Sequence, residues 1–229
     1  MKIINTSTVS FASFLCALAC LMLCGTCVYA EDNGAENQKD ATITELLNIG
    51  SMYHAAGLLE NAANAYQQAI SLDPQNASAW SYLGIAYRSL ELYDDAVYAY
   101  NQALNITPED PEIWYNLGYA YGLSGNYEDE ISAYQEALRI LPNFSPAWQN
   151  LAVAYVDMGD NEASLHALLK VAEYNPDSPV VWYDIGGTYE RLGYLKKAKE
   201  AFQKALELDE NLVAAKVKIA DINAVLAYI

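Results

Sequence analysis

Apolar residues recur at helical spacing along most of the chain, in pairs of short segments. Trp114, Leu117 and Tyr121 fall at i, i+3 and i+7, which places them on one face of a helix. Gly125-Asn126 interrupts that helix, and a second apolar stripe follows before Pro142 ends it. The second stripe consists of Ile131, Tyr134, Ala137 and Leu138. The pattern predicts two helices joined by a tight turn.

This pair of helices repeats with a step of 34 residues from residue 43 onward. Residues of four different types keep the step, and a fixed period of this length indicates stacked supersecondary units. The residues in register are Trp80, Trp114, Trp148 and Trp182; Tyr53, Tyr87, Tyr121, Tyr155 and Tyr189; Gly50, Gly84, Gly118 and Gly186; and Pro74, Pro108, Pro142 and Pro176. We interpret most of these aromatic residues as core, because they occupy shared positions.

One unit matches the pattern W-x2-L-G-x2-Y…A-x3-F…P almost throughout. The matching residues are Trp80, Leu83, Gly84, Tyr87, Ala96, Tyr100, Ala103 and Pro108. The chain therefore resembles the tetratricopeptide repeat (TPR) family, which implies an all-α, right-handed α-solenoid of helix pairs. We place five units at 43–76, 77–110, 111–144, 145–178 and 179–212, followed by a C-terminal capping helix at 213–229.

Some units depart from the repeat. Leu46 replaces the tryptophan in the first unit, where no preceding unit exists. Glu130 occupies a helix-crossing position that holds alanine in three other units. In the fourth unit, Ser164, Leu168 and Val171 replace small, aromatic and alanine residues, respectively. We therefore expect some irregularity in the helix packing of the third and fourth units.

The first thirty residues have the features of a secretory signal peptide. Lys2 provides a positive start, residues 11–28 are almost wholly apolar, and Val28-Tyr29-Ala30 places small residues at a cleavage site. Residues 31–42 would then form a short acidic linker. We expect an extracytoplasmic protein that is secreted, periplasmic or on the cell surface. The alternatives are an uncleaved membrane anchor and a lipoprotein, and only these would attach the protein to a membrane.

Composition excludes several classes of site. All four cysteines precede residue 30, so a cleaved product has no thiol for a disulfide, a zinc site or a nucleophile. The chain has 12 basic and 29 acidic residues, and this imbalance argues against binding nucleic acid. We see no nucleophile–base pair, phosphate-binding loop or metal motif. We therefore expect no enzymatic activity, no cofactor and no metal.

The resemblance implies that the first helices of the units line a concave groove, where peptides or partner helices bind. The corresponding residues are Leu47, Ser51, His54, Ser81, Ile85, Arg88, Tyr115, Tyr119, Gln149, Val153, Val156, Tyr183 and Glu190. A chaperone-type carboxylate clamp needs lysine and arginine at such positions, and only Arg88 is present, so this function is not expected. We predict a non-catalytic scaffold for a peptide with apolar or aromatic side chains and some positive charge. We expect the groove tyrosines to be replaceable without loss of stability.

Other functions stay open at this point. The groove could lack a ligand, or exposed tyrosines could hold a carbohydrate beside an enzyme. A structural surface or fibre component could self-assemble through its ends, because the last helix is a poor polar cap. Residues 31–178 contain 22 acidic and four basic residues, whereas residues 179–229 contain seven of each. Possible N-glycosylation sites are Asn76, Asn105 and Asn143.

Overall fold

The protein is a stack of short helices, and a computed structural model describes its residues 36–228. Within these residues eleven helices follow one another through short turns, and there is no strand. The first helix, α1, covers residues 36–55. The others are α2 Leu59–Leu72, α3 Ala77–Ser89, α4 Tyr93–Ile106, α5 Pro111–Leu123, α6 Tyr127–Ile140, α7 Ser145–Asp157, α8 Asn161–Tyr174, α9 Pro179–Arg191, α10 Leu195–Leu208 and α11 Val213–Leu226. They fit five helix pairs and a final helix.

The first helix begins before the boundary that the sequence predicted. Residues 36–42 were expected to belong to an acidic linker, but they are helical. They contain neither glycine nor proline and include Glu, Gln, Lys and Ala, which are favourable in helices. The hydroxyls of Thr42 and Thr44 also donate hydrogen bonds to carbonyls four residues earlier, at 2.9 Å. The predicted signal peptide, residues 1–30, and residues 31–35 lie outside the described residues.

Caps and turns explain where the helices begin and end. The side chains of Asn76, Asp110 and Asp160 accept hydrogen bonds from backbone N–H groups in the first turns of α3, α5 and α8. Four units turn between their helices through a glycine with φ between +74° and +80°. In the second unit Glu91 takes this place with φ 62°, at a backbone cost of about 1 kcal/mol.

The two helices of a unit approach closely where a glycine of the first faces an aromatic ring of the second. A methyl group added at Gly84 would lie 2.7 Å from the ring of Tyr100, and one at Gly186 would lie 2.7 Å from the ring of Phe202. We call the second-helix position the ring slot, and its aromatic residues are nearly or fully buried. They are Tyr66, Tyr100, Tyr134 and Phe202.

The fourth unit keeps its helix pair without a ring in the ring slot. Leu168 occupies the slot, Ala152 stands opposite in place of glycine, and both are buried. Helices α7 and α8 remain packed against each other, as the pairs of the other units do. The irregularity expected in this unit is therefore a difference in side-chain volume, and the helix pair is intact.

The first helices of the units form the inner surface of the solenoid. Helix α3 contacts α5, and α5 contacts α7, although a second helix separates them in sequence. Helix α11 continues this series and packs against α10 through Ala215 and Ile222. Its other side stays open, and Val213 and Val217 are 67% and 53% exposed.

Candidate partner-binding groove

Several of the predicted groove residues of the first two units are already engaged with other residues of the protein. The Ser51 hydroxyl lies 3.3 Å from the Tyr66 hydroxyl, and His54 Nε2 lies 3.0 Å from Ser89 Oγ. Leu47 packs against the core formed by the first and second units, and Ile85 packs against the core formed by the second and third units. Ser81 is half-buried on the same helix as Ile85. This part of the inner surface offers few free polar groups.

Arg88 provides the basic group of the middle groove. Its guanidinium carbon lies 4.8 Å from the centre of the Tyr119 ring, a cation–π arrangement that joins the second and third units. Tyr119 is 38% exposed, so one part of its ring stays open to the groove. A partner's side chain could reach this ring without disturbing the core.

Tyr115 and Tyr183 have a packing role that the sequence analysis missed. The Tyr115 ring lies 5.8 Å from Tyr134, and its hydroxyl accepts a hydrogen bond from Asn150 at 3.2 Å. The Tyr183 ring lies 5.3 Å from Phe202. Both tyrosines are half-buried. The expectation that they are replaceable without loss of stability is corrected here, because their rings cover residues of the ring slot.

A pocket of about 830 Å³ opens on the inner surface between the fourth unit, the fifth unit and α11. We call it the inner pocket. Five of the predicted groove residues line it, namely Gln149, Val153, Val156, Tyr183 and Glu190. Val153 is 59% exposed, so the pocket is open to partners from the groove. The volume is in the range of small-ligand sites.

The inner pocket lies at the ring slot of the fourth unit. Leu168 and Ser164 form part of its lining, together with Phe202 from the next ring slot. In the third unit the corresponding positions hold Tyr134 and Glu130, which are larger and fill this space themselves. The smaller residues at these two positions therefore contribute to the cavity.

One residue that lines the inner pocket has a buried hydroxyl without a partner. Ser164 is fully buried, and its Oγ has no hydrogen-bond partner among the described residues. A buried hydroxyl that is left without a partner costs stability, and most such groups in folded proteins are paired. A ligand that reaches the base of the pocket could supply the missing partner.

The charged groups at the mouth of the inner pocket are unevenly paired. Lys218 of α11 donates to Glu190 at 2.8 Å, and Arg191 donates to Asn161 and to the Thr188 hydroxyl. Asp184 forms no salt bridge with a described residue. Partial burial raises the pKa of Asp184, and the charge of Arg191 opposes this effect. The mouth therefore offers one carboxylate that is near the charge of Arg191 but forms no salt bridge with a described residue.

Family models match the chain over most of its helical part. Models described as TPR repeat match residues 50–90 and 86–125, and models described as tetratricopeptide repeat match 123–183 and 180–212. Together the matches extend from residue 50 to residue 212. The chain belongs to the tetratricopeptide repeat family. No curated protein matches it.

Solved TPR structures are similar to this TPR chain along most of their length. The crystal structure of MamA protein is 26% identical, with a TM-score of 0.69 over 76% of this chain and 94% of that one. YrrB, described as a TPR protein with an unusual peptide-binding site, is 24% identical, with a TM-score of 0.65 over 81% and 94%. The pilF protein of Pseudomonas aeruginosa is 18% identical, with a TM-score of 0.65 over 82% and 92%. These likenesses establish the TPR solenoid fold.

The TPR register did not point to several residues of the inner pocket. Asp184, Arg191 and Lys218 line it, but they lie outside the groove positions that the family resemblance assigned. The signal that could have found the pocket was the presence of Ser164 and Leu168 where the other units have different residues, and the sequence analysis interpreted this only as irregular packing. At these two positions the side chains of the fourth unit do not fill the space that the larger residues of the third unit fill.

Other predicted sites of this TPR protein are at turns and helix ends. Asn76 caps α3 with its side-chain oxygen, Asn105 is exposed in the last turn of α4, and Asn143 is exposed between α6 and α7. Over residues 36–228, no group of three or more His, Cys, Asp or Glu side chains is placed to hold a metal. No helix in that range has the length and apolar character needed to cross a membrane.

Proposed function

We propose that the protein is an exported, non-catalytic TPR scaffold that binds a segment of a partner protein in its inner groove. The inner pocket carries this proposal, because it is open to the groove and combines an apolar lining with an unpartnered hydroxyl. TPR proteins are typically scaffolds for protein–protein interaction, which agrees with this use of the groove. The acidic first four units favour a partner segment with positive charge.

Site-specific photo-cross-linking tests the binding surface. A photo-reactive amino acid placed at Val153 of α7, within the inner pocket, should give one defined adduct in cells of the native host. The matched control is Leu169 of α8, which is also exposed but lies outside the inner pocket. Equal adducts from both positions, or adducts from Leu169 only, would contradict partner binding in the groove.

Export rests on the N-terminal pattern, which lies outside the described residues. We expect cleavage after Val28-Tyr29-Ala30, so that the mature chain begins at Glu31. Intact-mass measurement of the protein from its native host checks this. A lipid on Cys24 or Cys27, or a retained N-terminal segment, would contradict cleavage and indicate membrane attachment.

A second candidate function, self-assembly through the ends of the solenoid, is favoured by the open side of α11. Val213, Val217, Ala220 and Ala224 lie on one face of this helix and are exposed. At the other end, Met52 of α1 is 72% exposed, whereas Ala86, Ala120 and Ala154 at the same repeat position are buried. Both ends thus expose apolar residues that interior units cover.

A further inference from the structure

The ring slot of the fourth unit is incomplete, and its surroundings indicate what would complete it. Four units fill the slot with an aromatic ring of their own chain. In the fourth unit, Leu168 leaves part of that space open to the groove as the inner pocket. Helices α7 and α8 pack against each other as the pairs of the other units do, so the free space lies at the position of the missing ring.

Polar groups around the ring slot show what the missing ring should carry. Two of the three tyrosines in the ring slot have a polar partner for the hydroxyl: Tyr66 lies 3.3 Å from Ser51 Oγ, and Tyr134 accepts from Asn150 at 3.3 Å, whereas the buried Tyr100 hydroxyl has none among the described residues. In the fourth unit the unpartnered group is Ser164 Oγ, which is fully buried and lines the inner pocket. A ring with a hydroxyl would satisfy it, whereas a plain hydrocarbon ring would leave it without a partner.

The charges at the mouth identify the neighbour of that ring. Lys218 and Glu190 neutralise each other at 2.8 Å, and Arg191 is held by Asn161 and Thr188. Asp184 has no such ionic partner among the described residues, and the four preceding units are strongly acidic. The mouth itself carries two acidic and two basic side chains, so the acidic excess of the preceding units is what favours a cation beside the ring, with Asp184 as the carboxylate that faces it.

We infer that the inner pocket binds a tyrosine side chain of the partner segment, next to a lysine or arginine of that segment. The ring occupies the space that Leu168 leaves in the ring slot, the phenol hydroxyl bonds Ser164 Oγ, and the neighbouring cation faces Asp184. This inference rests on the proposed function and specifies the residue type that the groove recognises. The rest of the pocket accommodates the backbone on either side of the tyrosine.

Tyramine tests the inference directly, because it combines a phenol with an ammonium group. Titrated into the purified protein, tyramine should bind saturably at one site and shift the amide NMR signals of Ser164 and Leu168. Phenethylamine, which lacks the hydroxyl, should bind about five- to tenfold more weakly, as expected for one lost hydrogen bond. The anion 3-(4-hydroxyphenyl)propionate should bind more weakly than tyramine as well.

Three variants separate the contributions of the Ser164 hydroxyl, the Asp184 carboxylate and the free ring slot to tyramine binding. Ser164→Ala should reduce tyramine binding to the level of phenethylamine and leave phenethylamine unaffected. Asp184→Asn should weaken both amines by a similar factor. The double variant A152G/L168Y restores the glycine and tyrosine of the second and third units, and it should abolish binding of both because its own ring fills the slot. Circular dichroism checks that each variant keeps its helices.

The inference fails if the wild-type protein shows no saturable tyramine binding, or if tyramine and phenethylamine bind equally. It also fails if A152G/L168Y is folded and still binds tyramine as the wild type does. Should that variant not fold, Ser164→Ala and the two amines decide the question. Cross-linking from Val153 tests the groove independently of these probes, so a loss of tyramine binding with normal cross-linking rejects only the tyrosine assignment.

Discussion

At the scale of single residues, two adjacent glycines of α9 have very different surroundings. A methyl group added to Gly186 would lie 2.7 Å from the ring of Phe202, whereas one added to Gly187 would meet only Arg191 Nη1, at 3.9 Å. Alanine favours a helix over glycine by about 1 kcal/mol at either position. The two substitutions should therefore have opposite effects on stability.

We expect Gly187→Ala to stabilise the protein by up to about 1 kcal/mol, because it gains helix propensity without a collision. Gly186→Ala should destabilise it by about 1–3 kcal/mol, since the collision forces the helices apart. Chemical denaturation of the two variants, one residue apart in the same helix, measures the difference. Equal effects would mean that the close approach of α9 and α10 does not require a glycine at position 186.

Glu130 makes stability depend on pH. It lies in α6 at 8% exposure, and burial raises its pKa to about 7, with a smaller opposing effect from a hydrogen bond of Tyr134. Below about pH 4.5 the folded and unfolded states are both protonated at this residue, so no stability is lost. As pH rises from there to about 7, only the unfolded state releases the proton, and stability falls. Above pH 7 the loss stays constant, on the order of 3 kcal/mol.

Replacing Glu130 with glutamine, which resembles the protonated carboxyl group, should remove this loss. We expect Glu130→Gln to be about 2–3 kcal/mol more stable than the wild type at pH 8 and nearly equal to it at pH 4. Urea denaturation at both pH values provides the measurement. Glu128→Gln, at an exposed position of the same helix, is the matched control and should change stability by under about 0.5 kcal/mol. A gain that is equal at pH 4 and pH 8 would contradict the role of the proton.

At the scale of helices, each tryptophan in the repeat ties a unit to the turn before it. The indole N–H of Trp114 donates to the carbonyl of Pro108 at 2.8 Å, and Trp80, Trp148 and Trp182 repeat this bond six residues after their prolines. Trp114 also packs against two core clusters, one on each side. The residue therefore connects the second unit to the third.

Trp114→Ala should cost about 3–5 kcal/mol, because it removes a large side chain shared by two clusters. Trp114→Phe keeps most of the packing and loses the hydrogen bond, so we expect a cost nearer 1 kcal/mol. In a solenoid the loss of one junction allows the parts on either side to melt separately. Thermal unfolding followed by circular dichroism should broaden for Trp114→Ala and stay sharp for Trp114→Phe. If the unfolding transition broadens in both variants, the hydrogen bond to Pro108, and not the packing of the ring, holds the second and third units together.

Helices were easier to predict from the sequence than the inner pocket. The 34-residue step fixes which residues share a helix face, and tryptophan, glycine and proline at fixed places mark the pairs. The pocket depends on the size of Leu168 relative to a tyrosine, and on Asp184 and Lys218, which α9 and α11 bring to its mouth. A periodic pattern does not encode such a difference in volume or the contact between distant helices. The early start of α1 was missed because polar residues 36–42 show no apolar period.

At the scale of the whole molecule, charge divides the chain along its length. Residues 31–178 have a large acidic excess, whereas residues 179–229 contain equal numbers of acidic and basic residues, including a group of lysines at Lys196, Lys197, Lys199 and Lys204. Lys197 lies over the rings of Tyr189 and Tyr194, so part of this group packs along the surface. The two ends of the solenoid therefore differ in charge while both expose apolar residues.

This arrangement favours head-to-tail association, in which the open side of α11 covers the first unit of another copy. Apolar contact would supply affinity, and attraction between the lysine group near the C-terminal end and the acidic first unit would set the orientation. Such a contact joins two different surfaces, so it builds open chains unless the rotation closes a ring. We expect light scattering to show a mass that rises with concentration and falls with added salt, because salt screens the attraction between the ends.

Val213→Lys combined with Val217→Lys tests which surface is responsible. Both valines are more than half exposed, so the double variant should keep its helices and its stability within about 0.5 kcal/mol per site. It should remain monomeric where the wild type associates, since two charges would have to be buried at the contact. Tyr98→Lys, at a similarly exposed position on α4, is the matched control and should associate like the wild type. A wild-type mass that stays monomeric at high concentration and low salt would reject the association, and association of the α11 variant would place the contact elsewhere.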